Sequence, residues 1–218
     1  MLRLFNLWAF LLPGLLVKAS PPDLGDSSLA KVRQKFEDFN IPANVHLTFD
    51  PVVLFELTFP EPGAAPIHVM AGEQLERNAT AGPPQFALRS DHRAATGHGP
   101  FVIVAVDPDA PTPQAPTVSQ IRHFLGGGFQ FGAGHKGMRT LVNDTPAITE
   151  FRQPTPPAGS DPHRYVFLLF KEPSGFSQQT LVNSSTSIAH FNISAFADAT
   201  GLGNPLGGTF IRVGPQEA

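Results

Sequence analysis

The 218-residue chain contains no cysteine. That excludes disulfides, thiol catalysis and cysteine-ligated zinc, and it leaves stability to the core. A chain of this length can bury roughly 70% of its unfolded surface, so a core alone suffices. Charge is sparse as well, at 15% of residues with a net −3 and no cluster of Lys and Arg. Duplex nucleic acid, whose phosphates demand such clusters, is therefore not an expected partner. Aromatic residues other than phenylalanine are nearly absent: one Trp and one Tyr accompany 19 Phe. The glycine triplet at Gly126–Gly128 lacks the Lys-Ser/Thr of a phosphate-binding P-loop. What the chain has in quantity is 20 Gly and 23 Pro, about a fifth of its residues. That stays below the roughly 25–30% of low-complexity chains and fits short strands joined by many turns. Length predicts one domain, and a monomer is expected.

The N-terminus pairs a basic start, Arg3, with an apolar segment from Leu4 to Val17 broken by Asn6, Pro13 and Gly14. The segment is too short to span a bilayer comfortably. Val17 and Ala19 occupy the −3 and −1 positions of a cleavage site before Ser20, so residues 1–19 read as a secretory signal peptide. The competing reading is a buried N-terminal helix. The expected product is a single domain over residues 20–218, secreted to the exterior or sorted to a vacuole. Four N-x-[ST] sequons, at Asn78, Asn143, Asn183 and Asn192, agree with that route; Asn143 is the weakest because Pro146 follows its Thr.

Along the chain, Leu29, Val32, Phe36 and Phe39 recur at helical spacing behind a candidate N-cap, Ser28, and Pro42 is expected to stop the helix. Val53, Phe55, Leu57 and Phe59 alternate with Leu54, Glu56 and Thr58, a strand buried on one side. "GPPQFAL" gives another strand, and "FVIVAV", Phe101 to Val106, is apolar on both faces and so central. Arg89–Pro100 reads as a polar loop carrying His92 and His98. "QIRHFLGGGFQF" is a strand bent or bulged at its glycines. A long turn-rich connection leads to the strand "RYVFLLF". Phe191, Ala195 and Phe196 suggest a helix ending near Gly201, and "NPLGGTFIRV" a closing strand.

Asp107, Asp109, His123 and His163, with Tyr165 close behind, sit in or at the ends of these apolar strands. A polar side chain there is costly unless paired. One such histidine is ordinarily a satisfied core residue; several polar groups in similar settings suggest a shared pocket. Two His and two Asp also form a metal-ligand inventory, but no HxH or HxxxH pair lies nearby. Ser119 and Ser160 are the candidate nucleophiles of a hydrolase, yet neither sits in G-x-S-x-G or another strained nucleophile turn.

"VAVDPDAPT", then His123, then "PPAGSDPHRYVFLLF" and "FADATGLGNPLGGTF" resemble the phosphatidylethanolamine-binding protein family, in a secreted form of fungal type. The resemblance runs from about Leu29 to Val213. It implies a mainly β domain, a β-sandwich of Greek-key type with a few peripheral helices. It also implies a shallow anion pocket lined by Asp107, Asp109, Pro111, His123, Pro157, His163 and Tyr165, with no catalytic residue and no cofactor. The sequence departs from the family pattern at Thr112, Arg122 and Asp161-Pro162.

Two functions are implied. One is binding of a phosphate-bearing small molecule or phospholipid head group; the other is inhibition of a serine carboxypeptidase through a surface segment. Candidate segments for such a contact are Pro21-Pro22 and the Arg89–Pro100 loop. For the pocket, the expected physics is that Asp107 and Asp109 hold and charge both histidines, since a carboxylate accepting from an imidazole favours its protonated form.

Overall fold

The computed structural model describes residues 26, 28–89, 97–135 and 137–216. The signal segment with its cleavage site, Pro21-Pro22, and residues 90–96 with His92 lie outside the described residues.

Helix α1 spans Leu29–Asp38, and Ser28 caps it by accepting the Lys31 N–H at 3.2 Å. Val32 and Phe36 are its buried stripe. Pro42 does not stop this helix, as the sequence had suggested. The break comes at Asn40, in a left-handed conformation with φ 52°, and Pro42 sits in the first turn of α2, Ile41–Val45. A first-turn residue has no intrahelical use for an N–H, so proline fits there.

The strands are β1 Phe55–Phe59, β2 Ile67–His68, β3 Glu73–Leu75, β4 Gln85–Arg89, β5 Phe101–Asp107, β6 Ile121–His135, β7 Met138–Val142, β8 His163–Lys171 and β9 Gly207–Val213. They form one nine-stranded sheet in the order β2-β1-β4-β7-β6-β5-β8-β9-β3, with β3–β9 its parallel pair. β2, β3 and β7 escape the sequence reading: two are only two or three residues long, and β7 lies in the turn-rich connection.

β6 makes the sheet curl. Its first half pairs with β5 and its second with β7. Between the Phe101–Phe129 and Ile103–Gly126 pairs the register slips, which places a bulge at Gly127 and Gly128, the latter at φ 73°. The expected irregularity at the glycines is real, but the strand continues through it. A single curled sheet, rather than two separate ones, therefore carries the core.

Inside the curl, Phe55, Leu57 and Phe59 of β1 pack with Phe101, Ile103 and Ala105 of β5 and with Tyr165, Phe167 and Leu169 of β8. On the outer face Val102, Val104, Val106, Val166, Leu168 and Phe170 pack against α1 and against α3, Ile193–Thr200. β5 is thus buried on both faces, and each large side chain contributes on the order of 1.5–3 kcal/mol. β1, expected to be one-sided, is also largely buried on both: Glu56, on the face opposite Phe55 and Leu57, is buried and pairs with Arg89 at 3.2 Å. α3 buries Ile193, Phe196 and Ala197, while Ala195 faces outward. It is capped by Asn192, which accepts the Ala195 N–H at 3.0 Å.

Candidate functional site

Three strands bring the polar residues to one edge. Val106 of β5 pairs with Arg122 of β6 and with Val166 of β8. The end of β5 therefore delivers Asp107 between His123 on one side and His163 and Tyr165 on the other. A cavity of about 420 Å³ opens there, lined by Asp107, Pro111, His123, Pro157, His163 and Tyr165 among others. Six of the seven expected residues meet in it.

Asp109 is the exception, and its expected role is corrected. It does not line the cavity. Its Oδ2 accepts the Arg164 backbone N–H at 2.7 Å and Nε–H at 2.9 Å, and its Oδ1 accepts from Nη2 at 2.5 Å. Arg164 in turn reaches Asn44 Oδ1 at 2.9 Å and the Phe39 carbonyl. Asp109 therefore pins the turn after β5 to β8 and α2. The Asp109 N–H donates to Asp107 Oδ1 at 2.7 Å, which orients the other aspartate.

Asp107 Oδ2 accepts from His163 Nδ1 at 2.8 Å. His163 Nε2 lies 3.1 Å from the Pro111 carbonyl and 2.9 Å from Ser160 Oγ. A carbonyl only accepts, so a bond from Nε2 to Pro111 needs a proton there, while the Asp107 carboxylate favours one on Nδ1: the surroundings of His163 favour the imidazolium. Burial pulls its pKa down, but the hydrogen bond and charge of Asp107, with the charge of Asp109, outweigh burial, and the net direction is up.

His123 behaves in the opposite way, against the expectation of two charged histidines. Burial dominates and lowers its pKa, and the hydrogen bond from its Nδ1–H to the Arg152 carbonyl at 2.9 Å does not reverse that. It is the neutral ring of the pair, with Nε2 left as an acceptor. Tyr165 packs edge-on to His123, centroids 4.9 Å apart, and stacks towards His163 at 6.4 Å. Burial and the Asp107 charge raise its pKa, so the phenol stays a donor.

Ser160, His163 and Asp107 have the connectivity of a nucleophile relay. The Ser160 hydroxyl donates to the Asp161 carbonyl at 2.8 Å, and its oxygen lies 2.9 Å from His163 Nε2. A ring protonated at both nitrogens would have no lone pair with which to activate it. Ser119 does not line the cavity, and among the described residues no group of three His, Asp or Glu is arranged to hold a metal.

Arg152, Gln153 and Thr155 also line the cavity and were not singled out from the sequence. The segment from Thr149 to Arg152 runs beside β6 through the Leu125–Thr149 bridge and the Arg152 N–H to His123 carbonyl bond at 2.9 Å. That pairing sets an exposed guanidinium at the rim. The signal for it is a long-range backbone contact, which no local pattern displays. Asp161 of the unusual Asp161-Pro162 pair accepts from Gln114 and ties the two rim loops together, while Pro162 lines a different cavity.

The family model of the phosphatidylethanolamine-binding proteins matches residues 65–211. CEN-like protein 4 of Nicotiana tabacum is 25% identical over 154 residues, covering 66% of this chain and 74% of the relative. The carboxypeptidase Y inhibitor of Saccharomyces cerevisiae is 36% identical over 92 residues, 34% of this chain and 39% of that one. Among solved structures, the carboxypeptidase Y inhibitor complexed with its cognate proteinase superposes with a TM-score of 0.71 at 21% identity, covering 86% of this chain and 97% of that one. The phosphatidylethanolamine-binding protein from Plasmodium vivax gives 0.60 at 15% identity, covering 84% and 97%. With more than half its length matched by the family model and the family's sheet around its core, the chain belongs to the phosphatidylethanolamine-binding protein family.

Proposed function

We propose that the chain is a non-catalytic binding protein for phosphate-bearing ligands, a free phosphomonoester or a phospholipid head group, taken in the His163 pocket. The observation that carries this reading is the charge pattern of the cavity. An imidazolium held by Asp107, a protonated phenol and the Arg152 guanidinium surround a neutral histidine. His163 supplies charge more than hydrogen bonds, because its two N–H groups are already engaged. The direct donors are Tyr165 and Arg152. On this reading the chain is of the secreted fungal type, processed after Ala19, and works as one domain from Ser20 onward.

Calorimetric titration with inorganic phosphate and with phosphoethanolamine from about pH 5 to 8.5 tests it. Binding should be strongest in mild acid and decline as pH rises through the raised pKa of His163. Asp107→Asn should move that decline to lower pH, since a neutral amide no longer favours the imidazolium. Arg152→Gln should weaken binding by roughly 1.5–3 kcal/mol, one charge-assisted hydrogen bond, at every pH. A flat pH profile unaltered by either change would dismiss the pocket.

A second reading is favoured by the two likenesses to the carboxypeptidase Y inhibitor. Here the chain inhibits a serine carboxypeptidase through residues outside the pocket. Inhibition that survives Asp107→Asn and Arg152→Gln but is lost when residues 20–27 are removed would establish it.

A further inference from the structure

Arg122 departs from the family pattern and is buried to 1% exposure, yet none of the ion pairs among the described residues includes it. Its partners are neutral: Thr149 Oγ1 at 2.6 Å, the Thr186 carbonyl at 3.1 Å, the Ser187 carbonyl at 3.3 Å and the Phe191 ring at 5.1 Å. A buried cation without a counter-charge is costly. Burial first, and the neighbouring charge of Arg152 second, lower its pKa, as expected of a positive group short of an anion.

Arg122 forms the floor of a cleft of about 700 Å³, with Arg152, Ser184, Ser185 and Thr186 on its walls. Arg152 makes no hydrogen bond or ion pair through its side chain among the described residues, and the Ser184 and Ser185 hydroxyls have no partner there. Glu150 also lines the cleft, but its carboxylate accepts the Ala147 N–H at 3.1 Å and pairs with neither arginine. Two cations and two free hydroxyls thus face one space that holds a single carboxylate turned to the backbone. Arg152 and Ile188 border both this cleft and the His163 pocket, so the two adjoin.

We propose that the cleft is a second oxyanion subsite, which takes a phosphate or phosphate monoester against Arg122, Arg152 and the Ser184 and Ser185 hydroxyls. It shares Arg152 with the His163 pocket but rests on Arg122 and the serine hydroxyls, which that pocket does not use. Its chemistry is that of a guanidinium pair on a tetrahedral anion, geometry that arginine forks match well.

The full chain titrated with inorganic phosphate at pH 6, by calorimetry and by NMR of the arginine Nε–H groups, should bind two equivalents and shift the Arg122 signal. Ser184→Glu places a carboxylate at the exposed wall and leaves the Asn183 sequon intact. It should weaken one equivalent at least tenfold and abolish the Arg122 shift. His163→Gln should lose the other equivalent and keep that shift. One equivalent lost in Ser184→Glu but kept in His163→Gln would support the subsite while sinking the pocket reading. An Arg122 signal unmoved by phosphate, with all binding surviving Ser184→Glu, would overturn the subsite and leave Arg122 as a pin for residues 186 and 187.

Discussion

Single residues show what a linear pattern can and cannot disclose. Asp107, His123, His163 and Tyr165 stood out because an apolar strand makes any polar member conspicuous, and all four line one cavity. The two aspartates of "DPD" look alike in sequence, yet one turns to His163 and the other to Arg164. Nothing local separates those fates, because the choice depends on which strand lies across the turn. The sequons divide for a similar reason. Asn78, Asn183 and Asn192 are exposed, whereas Asn143 is half-buried and its Nδ2, the atom a glycan would occupy, donates to the Gly127 carbonyl. Mass spectrometry of glycopeptides from a secreting host should find glycans at some or all of the first three and none at Asn143.

Among the elements, β5, β8 and α1 were legible because their apolar periods are long and unbroken. β6 was legible only in its first half: glycines that argue locally for an end instead let a fifteen-residue strand bend and serve both ends of the sheet. The bend tolerates little added volume. A Cβ on Gly127 would lie 2.8 Å from the Phe176 ring, closer than real contacts allow. Gly127→Ala should therefore cost roughly 1–3 kcal/mol by overpacking. Denaturant unfolding checks this, with Gly63→Ala, where a Cβ meets nothing within 4 Å but φ is positive, as the comparison for backbone strain alone.

The whole molecule should be less stable in alkali than in mild acid. Glu56 is buried beside Arg89, and burial outweighs the arginine to raise its pKa from 4.5 to about 7. A carboxyl whose folded pKa lies above its unfolded one favours folding below the unfolded value and loses that advantage as pH climbs through the folded value. His163, also raised, has the same sign: its contribution is complete below the unfolded pKa of about 6.5 and fades as pH passes the folded one. Thermal unfolding should therefore give a higher Tm at pH 5.5 than at pH 8.5. Glu56→Gln should recover about 1–3 kcal/mol at pH 8 and little at pH 4.5. A Tm that rises from pH 5.5 to 8.5 would contradict the sign of both groups.

Tyr165 is the chain's one tyrosine, and the one tryptophan, Trp8, lies within the segment expected to be removed. The processed protein would then carry one tyrosine and no tryptophan, with that tyrosine seated between His123 and His163. Excited to the red of phenylalanine absorption, its emission would report on the pocket alone, free of energy transfer to indole. Because His163 stacks beside the phenol, emission should change as that ring loses its proton and again when an anion enters. An unlabelled protein in a cuvette would thus act as its own optical sensor of pH and ligand.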